Sequence, residues 1–270
     1  MPDPREVLTR PAPEPDAVVR YGTHADAVVD VHLPHVHLPP TSSQPAPPAP
    51  LLVLLHGGFW RAPYDRRCTR PLAAGLREAG WVVASPEYRR TGGEGGWPAT
   101  FDDVAALREG LVGLLRDALP GRLTDHTATL VGHSAGGHLA LWWALTDRSR
   151  SAPRRTVALA PVADLARAYA DDLGQGAVAA LLGGGVAEHP HRYAEADPAA
   201  RMRAGERATG DVVLVHGPHD EQVPVQHSRN LAADTSVRLV EPDCEHFALI
   251  DPVSPAWPTV VSALGPPPSR

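Results

Sequence analysis

The chain has 270 residues, enough to bury a full core in one domain, with 43% hydrophobic and 21% charged residues and no apolar run long enough for a membrane-spanning helix. Its 25 basic and 31 acidic residues leave a net charge of −6 and no basic stripe to neutralise phosphates, which argues against nucleic acid and membrane surfaces as partners. Every basic residue is an arginine, so Schiff-base chemistry, a phosphate-loop lysine and a serine–lysine dyad are all excluded.

Residues 1–20 and the segment "PHVHLPPTSSQPAPPAP" (34–50) are rich in proline and are expected to be irregular or extended. The start "MPDPREVLTRPAPEPD" has prolines and acids where an export signal needs a basic start and an apolar stretch. A cytoplasmic location is therefore expected, and the two cysteines, Cys68 and Cys244, read as free thiols. Between the proline-rich segments, "AVVRYGTHADAVVDVHLP" (17–34) alternates like a strand pair with Gly22 at the turn.

Five short apolar runs follow: "LLVLLHGG" (51–58), "WVVASPEY" (81–88), "TATLVGHS" (127–134), "TVALAP" (156–161) and "DVVLVHG" (211–217). Such runs suit strands buried on both faces. Helical patterns fall among them at 70–80, 100–119, 135–147 and 224–234. The alternation predicts an α/β fold, with a mostly parallel central sheet and helices on both faces, in one domain spanning 1–270. Residues 162–207 break the rhythm and read as a short, partly helical, cap-like insertion that should roof the strand ends.

Ser134 lies in "VGHSAGGHLAL", where an apolar strand meets a helix. Glycines at 132 and 136 allow a sharp turn that leaves the serine side chain at its tip, and the helix beginning at Ala135 offers an amide and a positive dipole end. Serine is also a favoured helix N-cap, so the surroundings must decide. "LLVLLHGGFW" supplies an earlier strand followed by His56, Gly57 and Gly58, whose open backbone can present amides to a developing oxyanion. The amides of Gly58, Phe59 and Ala135 are the expected donors.

An acid and then a histidine should follow the serine in chain order. "LVHGPHDEQVP" offers Asp220, and "EPDCEHFALIDP" offers His246. Asp243 and Glu245 share the histidine's loop and Asp251 follows it, but Asp220, at a separate strand end, is better placed to orient the ring. His216 and His219 read as loop or packing histidines.

The motifs "HGGFW", "GHSAGGH", "HGPHDEQVP" and "EHFALIDP", together spanning about residues 50–265, resemble the α/β-hydrolase superfamily. More narrowly they are similar to the small cytoplasmic serine hydrolases of the esterase, kynurenine formamidase-like and prolyl-oligopeptidase-like group. The resemblance implies catalysis by Ser134, Asp220 and His246 through an acyl-enzyme. Phe59 departs from the third glycine of the esterase loop, and with Trp60 it is similar to the formamidase-like version. Hydrolysis of a small carboxylic ester ranks first, aryl formamide hydrolysis second and small amide or peptide cleavage third. The rival from another class is a binding protein on the same fold.

Trp60, Tyr64 and Trp97, in loops after strands, are expected either to wall the substrate pocket or to pack in the core. Trp142 and Trp143 read as core, His133 and His138 as support beneath the serine, and Glu87 and Arg89 as structurally paired. His32, His35 and His37 lie close together in sequence, but the segment is broken by prolines and no further ligand set accompanies them. No metal and no cofactor are expected. The expected partner is a small acyl substrate, and a homo-oligomer is compatible with the sequence.

Overall fold

The computed structural model describes residues 3–35 and 46–265. Among them, eight strands form one sheet in the order β1-β2-β4-β3-β5-β6-β7-β8. β1 (Ala17–Arg20) and β2 (Val28–His32) are the antiparallel pair expected from their alternation, and β2 pairs antiparallel with β4 (Val82–Pro86). β3 (Ala49–Leu55), β5 (Leu123–His133), β6 (Arg155–Leu159), β7 (Asp211–Val215) and β8 (Arg238–Val240) continue the sheet in parallel with β4.

The apolar runs are continuous because the parallel strands are covered on both faces. Leu51, Val53 and Leu55 join one core with α2 (Ala99–Ala118) and α3 (Ala135–Thr146). Leu52 and Leu54 face the other way, against α1 (Arg70–Glu78) and α9 (Trp257–Leu264). α3 is buried from Ala135 to Leu145, so Trp142 and Trp143 belong to the core as read from the sequence. α8 (Gln226–Thr235) packs through Leu231 on a third, smaller cluster.

The chain runs from β3 to β4 on one side and reaches β5 on the other. Ligand crevices form outside the carboxyl ends of strands at such a reversal. Loops from β3, β5, β7 and β8 carry the candidate residues to this edge.

Two expectations need correction. Residues 3–20 are more ordered than their prolines suggest: Pro4–Leu8 form a 3-10 helix that buries Val7, with Asp3 capping it through the Arg5 amide. Residues 36–45 of the other proline-rich segment lie outside the described residues. The insertion is helical, comprising α4 (Leu165–Ala170), α5 (Ala177–Leu182), α6 (Pro190–Ala196) and α7 (Pro198–Arg203). It does not roof the serine, however. Leu165, Val178, Leu181 and Tyr193 draw it onto the same core as Trp60 and Trp142, and among the described residues none of 162–207 lines the cavity at Ser134.

Candidate active site

Ser134 sits between β5 and α3 with φ 55° and ψ −118°, a left-handed conformation that a non-glycine residue adopts only when its surroundings enforce it. Its amide donates to the Leu159 carbonyl at 2.8 Å, and its own carbonyl accepts from His138 and Val162 at 3.1 and 3.2 Å. The turn also depends on close backbone approach: a Cβ added to Gly136 would fall 2.1 Å from the Leu55 carbonyl oxygen. Gly57 lies directly beside the serine, where an added Cβ would meet the Ser134 Cβ at 3.2 Å.

The loop after β3 is pinned from below. His56 places Nδ1 2.8 Å from the Gly57 carbonyl oxygen and Nε2 2.7 Å from Glu87 Oε1. Tyr88 stacks on the imidazole at 4.4 Å and donates its hydroxyl to the His56 carbonyl at 2.8 Å. Burial pushes the Glu87 carboxyl up, but His56 and Arg90 outweigh it and hold the group down at about 2. Carbonyl and N–H point in opposite directions across a trans peptide, so anchoring the Gly57 carbonyl turns the Gly58 amide to the other side. Gly58, Phe59 and Trp60 then follow with φ of 102°, 50° and 56°. Among the described residues the amides of Phe59 and Ala135 make no backbone hydrogen bond.

Beyond β8, His246 Nδ1 lies 2.6 Å from Asp220 Oδ2. The other carboxylate oxygen accepts the amides of Gln222 and Val223, both at 2.8 Å. His216, taken as a packing residue from the sequence, approaches the same Oδ2 at 3.1 Å through Nε2. That nitrogen also donates to the Val223 carbonyl at 2.9 Å, while Nδ1 lies 2.8 Å from Ser228 Oγ. Burial would raise the Asp220 carboxyl, but hydrogen bonds from His216 and His246 hold it well below the usual carboxylate range.

The other acids near His246 are engaged elsewhere. Glu245 accepts the amides of Phe247 and Ala248, capping the 3-10 helix Phe247–Ile250. Asp251 pairs with Arg10, and Asp243 with exposed His219. His133 supports the site through its Nε2, which donates to the His246 carbonyl at 3.2 Å. Burial and then the nearby His246 hold its ring far below the ordinary histidine range. His138 donates to the Ala196 carbonyl at 2.8 Å and is held neutral by burial, at about 4.

Ser134 and His246 line one cavity of about 110 Å³ with Gly57, Gly58, Phe59 and His133. The expected aromatic wall is only partly there. Tyr64 lines the cavity, whereas Trp60 is fully buried, its ring edge-on to His138 at 5.1 Å. The left-handed turn through Phe59 sends that ring to the cavity and drops the next residue beneath the loop. Trp97 also misses the cavity: its ring packs on Phe101 at 5.0 Å and its amide donates to the Leu181 carbonyl at 2.7 Å.

The remaining wall comes from Arg5 and Leu8 of the N-terminal 3-10 helix and Cys68 and Thr69 before α1, outside every motif, and from Gln222, Phe247 and Ile250, which lie within the motifs of Asp220 and His246. The buried apolar residue Val7 within a proline-rich segment was the available signal for the first pair. His32 is buried in β2, His35 is exposed beside Glu78, and His37 lies outside the described residues.

The BD-FAE family model matches residues 35–234. The chain belongs to the BD-FAE family. A Mycobacterium tuberculosis protein named Probable carboxylic ester hydrolase LipM is 29% identical to this BD-FAE chain over 196 residues, covering 67% of the chain. The chain spans 43% of that curated relative's length. Among solved structures, esterase B from Lactobacillus rhamnosis superposes with a TM-score of 0.71 at 20% identity, covering 96% of this chain and 90% of its own. A thermophilic esterase from the Planctomycetes species Thermogutta terrifontis gives 0.65 at 19% identity, covering 91% and 90%. The BD-FAE chain thus has the α/β-hydrolase fold anticipated from its motifs.

Proposed function

We propose that the chain is a serine hydrolase of small carboxylic esters, with Ser134 as nucleophile, His246 as general base and acid, and Asp220 as the group that orients the base. The observation that carries this reading is the 2.6 Å contact of His246 Nδ1 with Asp220, made by a ring that shares its cavity with a serine on a strained turn. Ser134 Oγ attacks the ester carbonyl carbon while His246 Nε2 takes its proton, and Asp220 stabilises the imidazolium. Negative charge on the carbonyl oxygen is received by the amides of Gly58, Phe59 and Ala135, the last at the positive end of α3. The tetrahedral species collapses with proton transfer from His246 to the leaving alcohol, and water then releases the acyl-enzyme by the same route.

A cavity of about 110 Å³, well under the ~300–1,000 Å³ of sites for drug-sized ligands, supports a short acyl group. The name borne by the mycobacterial relative supports ester hydrolysis over formamide hydrolysis. A cytoplasmic site of action belongs to the same reading and fits two unpaired cysteines. Among the described residues no helix is long and apolar enough to cross a membrane.

The test compares the wild type with Ser134→Ala on p-nitrophenyl acetate and on N-formyl-kynurenine, alongside labelling by a fluorophosphonate probe. Labelling and ester turnover that both vanish in the variant are expected. Dominant formamide turnover would replace the ester assignment, and a wild-type chain that neither labels nor turns over would make it a binding protein.

A further inference from the structure

The cavity at Ser134 is one-sided in charge. Among the described residues Arg5 is the one arginine that lines it, and no aspartate or glutamate does. Beside Ser134 and His246, the polar groups there are Tyr64, Thr69 and Gln222, which carry no charge at neutral pH, and His133, which burial holds neutral, while burial pushes the Cys68 thiol further from ionisation.

Arg5 differs from the arginines around it. Arg10 is held by Asp251, Arg66 by Asp30, and Arg70 by Asp30 and Glu14. Among the described residues the Arg5 guanidinium makes no ion pair. The nearest acid in sequence, Asp3, uses its carboxylate on the Arg5 backbone amide at 2.9 Å instead. The guanidinium lies over the Phe247 ring, 6.0 Å from its centroid, and Phe247 directly follows His246. Its backbone is fixed as well: Val7 is buried two residues on, and Arg10 clamps Asp251 with hydrogen bonds of 2.5 and 2.8 Å. A planar cation with free donors, carried on an anchored segment at the rim of a cavity without acids, is a receptor for a carboxylate.

We propose that the substrate is an ester bearing a free carboxylate, which Arg5 binds while the ester carbonyl lies at Ser134. The inference rests on the esterase reading above. The carboxylate belongs either to the acyl half, as in the half-ester of a dicarboxylic acid, or to the leaving group.

Two matched pairs separate these sources: monomethyl against dimethyl adipate for the acyl half, and 4-acetoxybenzoate against methyl 4-acetoxybenzoate for the leaving group. The wild type is expected to prefer the anionic member of at least one pair by about 2- to 5-fold in kcat/KM, the range of a charge pair made by an exposed arginine. Arg5→Gln should collapse that preference, Arg5→Lys should restore part of it, and added salt should weaken it in the wild type. Neutral members preferred in both pairs, or a preference that Arg5→Gln leaves intact, would overturn the proposal while leaving the esterase reading standing. Failure to cleave any ester together with failure of fluorophosphonate labelling would overturn both.

Discussion

Two buried carboxylate–imidazole contacts flank Ser134, and they do opposite work. Glu87 meets His56 at 2.7 Å beneath the loop after β3, and Asp220 meets His246 at 2.6 Å behind the cavity. Both carboxyls are held below their ordinary range against the pull of burial. The difference lies in the second ring nitrogen. His56 commits Nδ1 to the Gly57 carbonyl and is 1% exposed, so its ring is a structural bolt. Among the described residues His246 commits only Nδ1, and Nε2 is left for the cavity it lines. The same pair of residue types fixes a loop where both nitrogens are engaged, and would tune the proposed base where one is free.

Asp220→Asn should strike chemistry hardest: kcat falling about 10⁴-fold, because the amide favours the wrong tautomer of His246, with a loss of stability beside it as the buried charge facing His216 and His246 disappears. Glu87→Gln should strike the fold first, costing about 3–5 kcal/mol in urea unfolding as one partner of a buried pair is lost, with a smaller fall in kcat. Comparable kcat losses from both substitutions would erase the distinction.

Acid unfolding sharpens the same comparison. The Glu87 carboxyl is held at about 2 against an ordinary value of 4.5, so its folded-state value is depressed. The stability it contributes is therefore present above pH 4.5 and lost as pH falls toward 2, an amount on the order of 3 kcal/mol. Urea midpoints measured between pH 5 and pH 2.5 should fall steeply in the wild type and less steeply in Glu87→Gln. Asp220 is depressed further still and keeps part of the slope in that variant.

His216→Phe removes one of the hydrogen bonds to the charged Asp220 and should destabilise the fold by about 1.5–3 kcal/mol. The smallest effect is expected from Arg10→Gln. Its partly exposed pair with Asp251 is worth about 1 kcal/mol or less in stability, but releasing the N-terminal segment should raise KM more than it lowers kcat. A fall in kcat alone would mean that the segment positions His246 rather than the substrate.

Much of this architecture is legible in the sequence because its causes are local. Apolar runs of six to eight residues mark β3, β4, β6 and β7 within three residues of their bounds, and the periodicity of 100–119 marks α2 nearly end to end. The insertion's helices were expected, but their docking was not, since Leu165 and Tyr193 read as amphipathic whichever face of the molecule they cover. Trp60 shows the limit at a single residue. An aromatic side chain after a glycine loop could face the cavity or the core, and the left-handed φ values from Gly58 to Trp60 decide it.

The strand–helix rhythm, the glycine-flanked turn that sets Ser134 at the cavity and the chain order of serine, acid and histidine are written in the sequence. These follow from burial periodicity and backbone sterics acting over a few residues. Only the packed structure shows that His216 shares the acid chosen for His246, and that Arg5 and Leu8 wall the cavity on a segment held by a pair joining Arg10 to Asp251, 241 positions apart. Such contacts carry no local signature, because they are selected by which surfaces the packed sheet brings together.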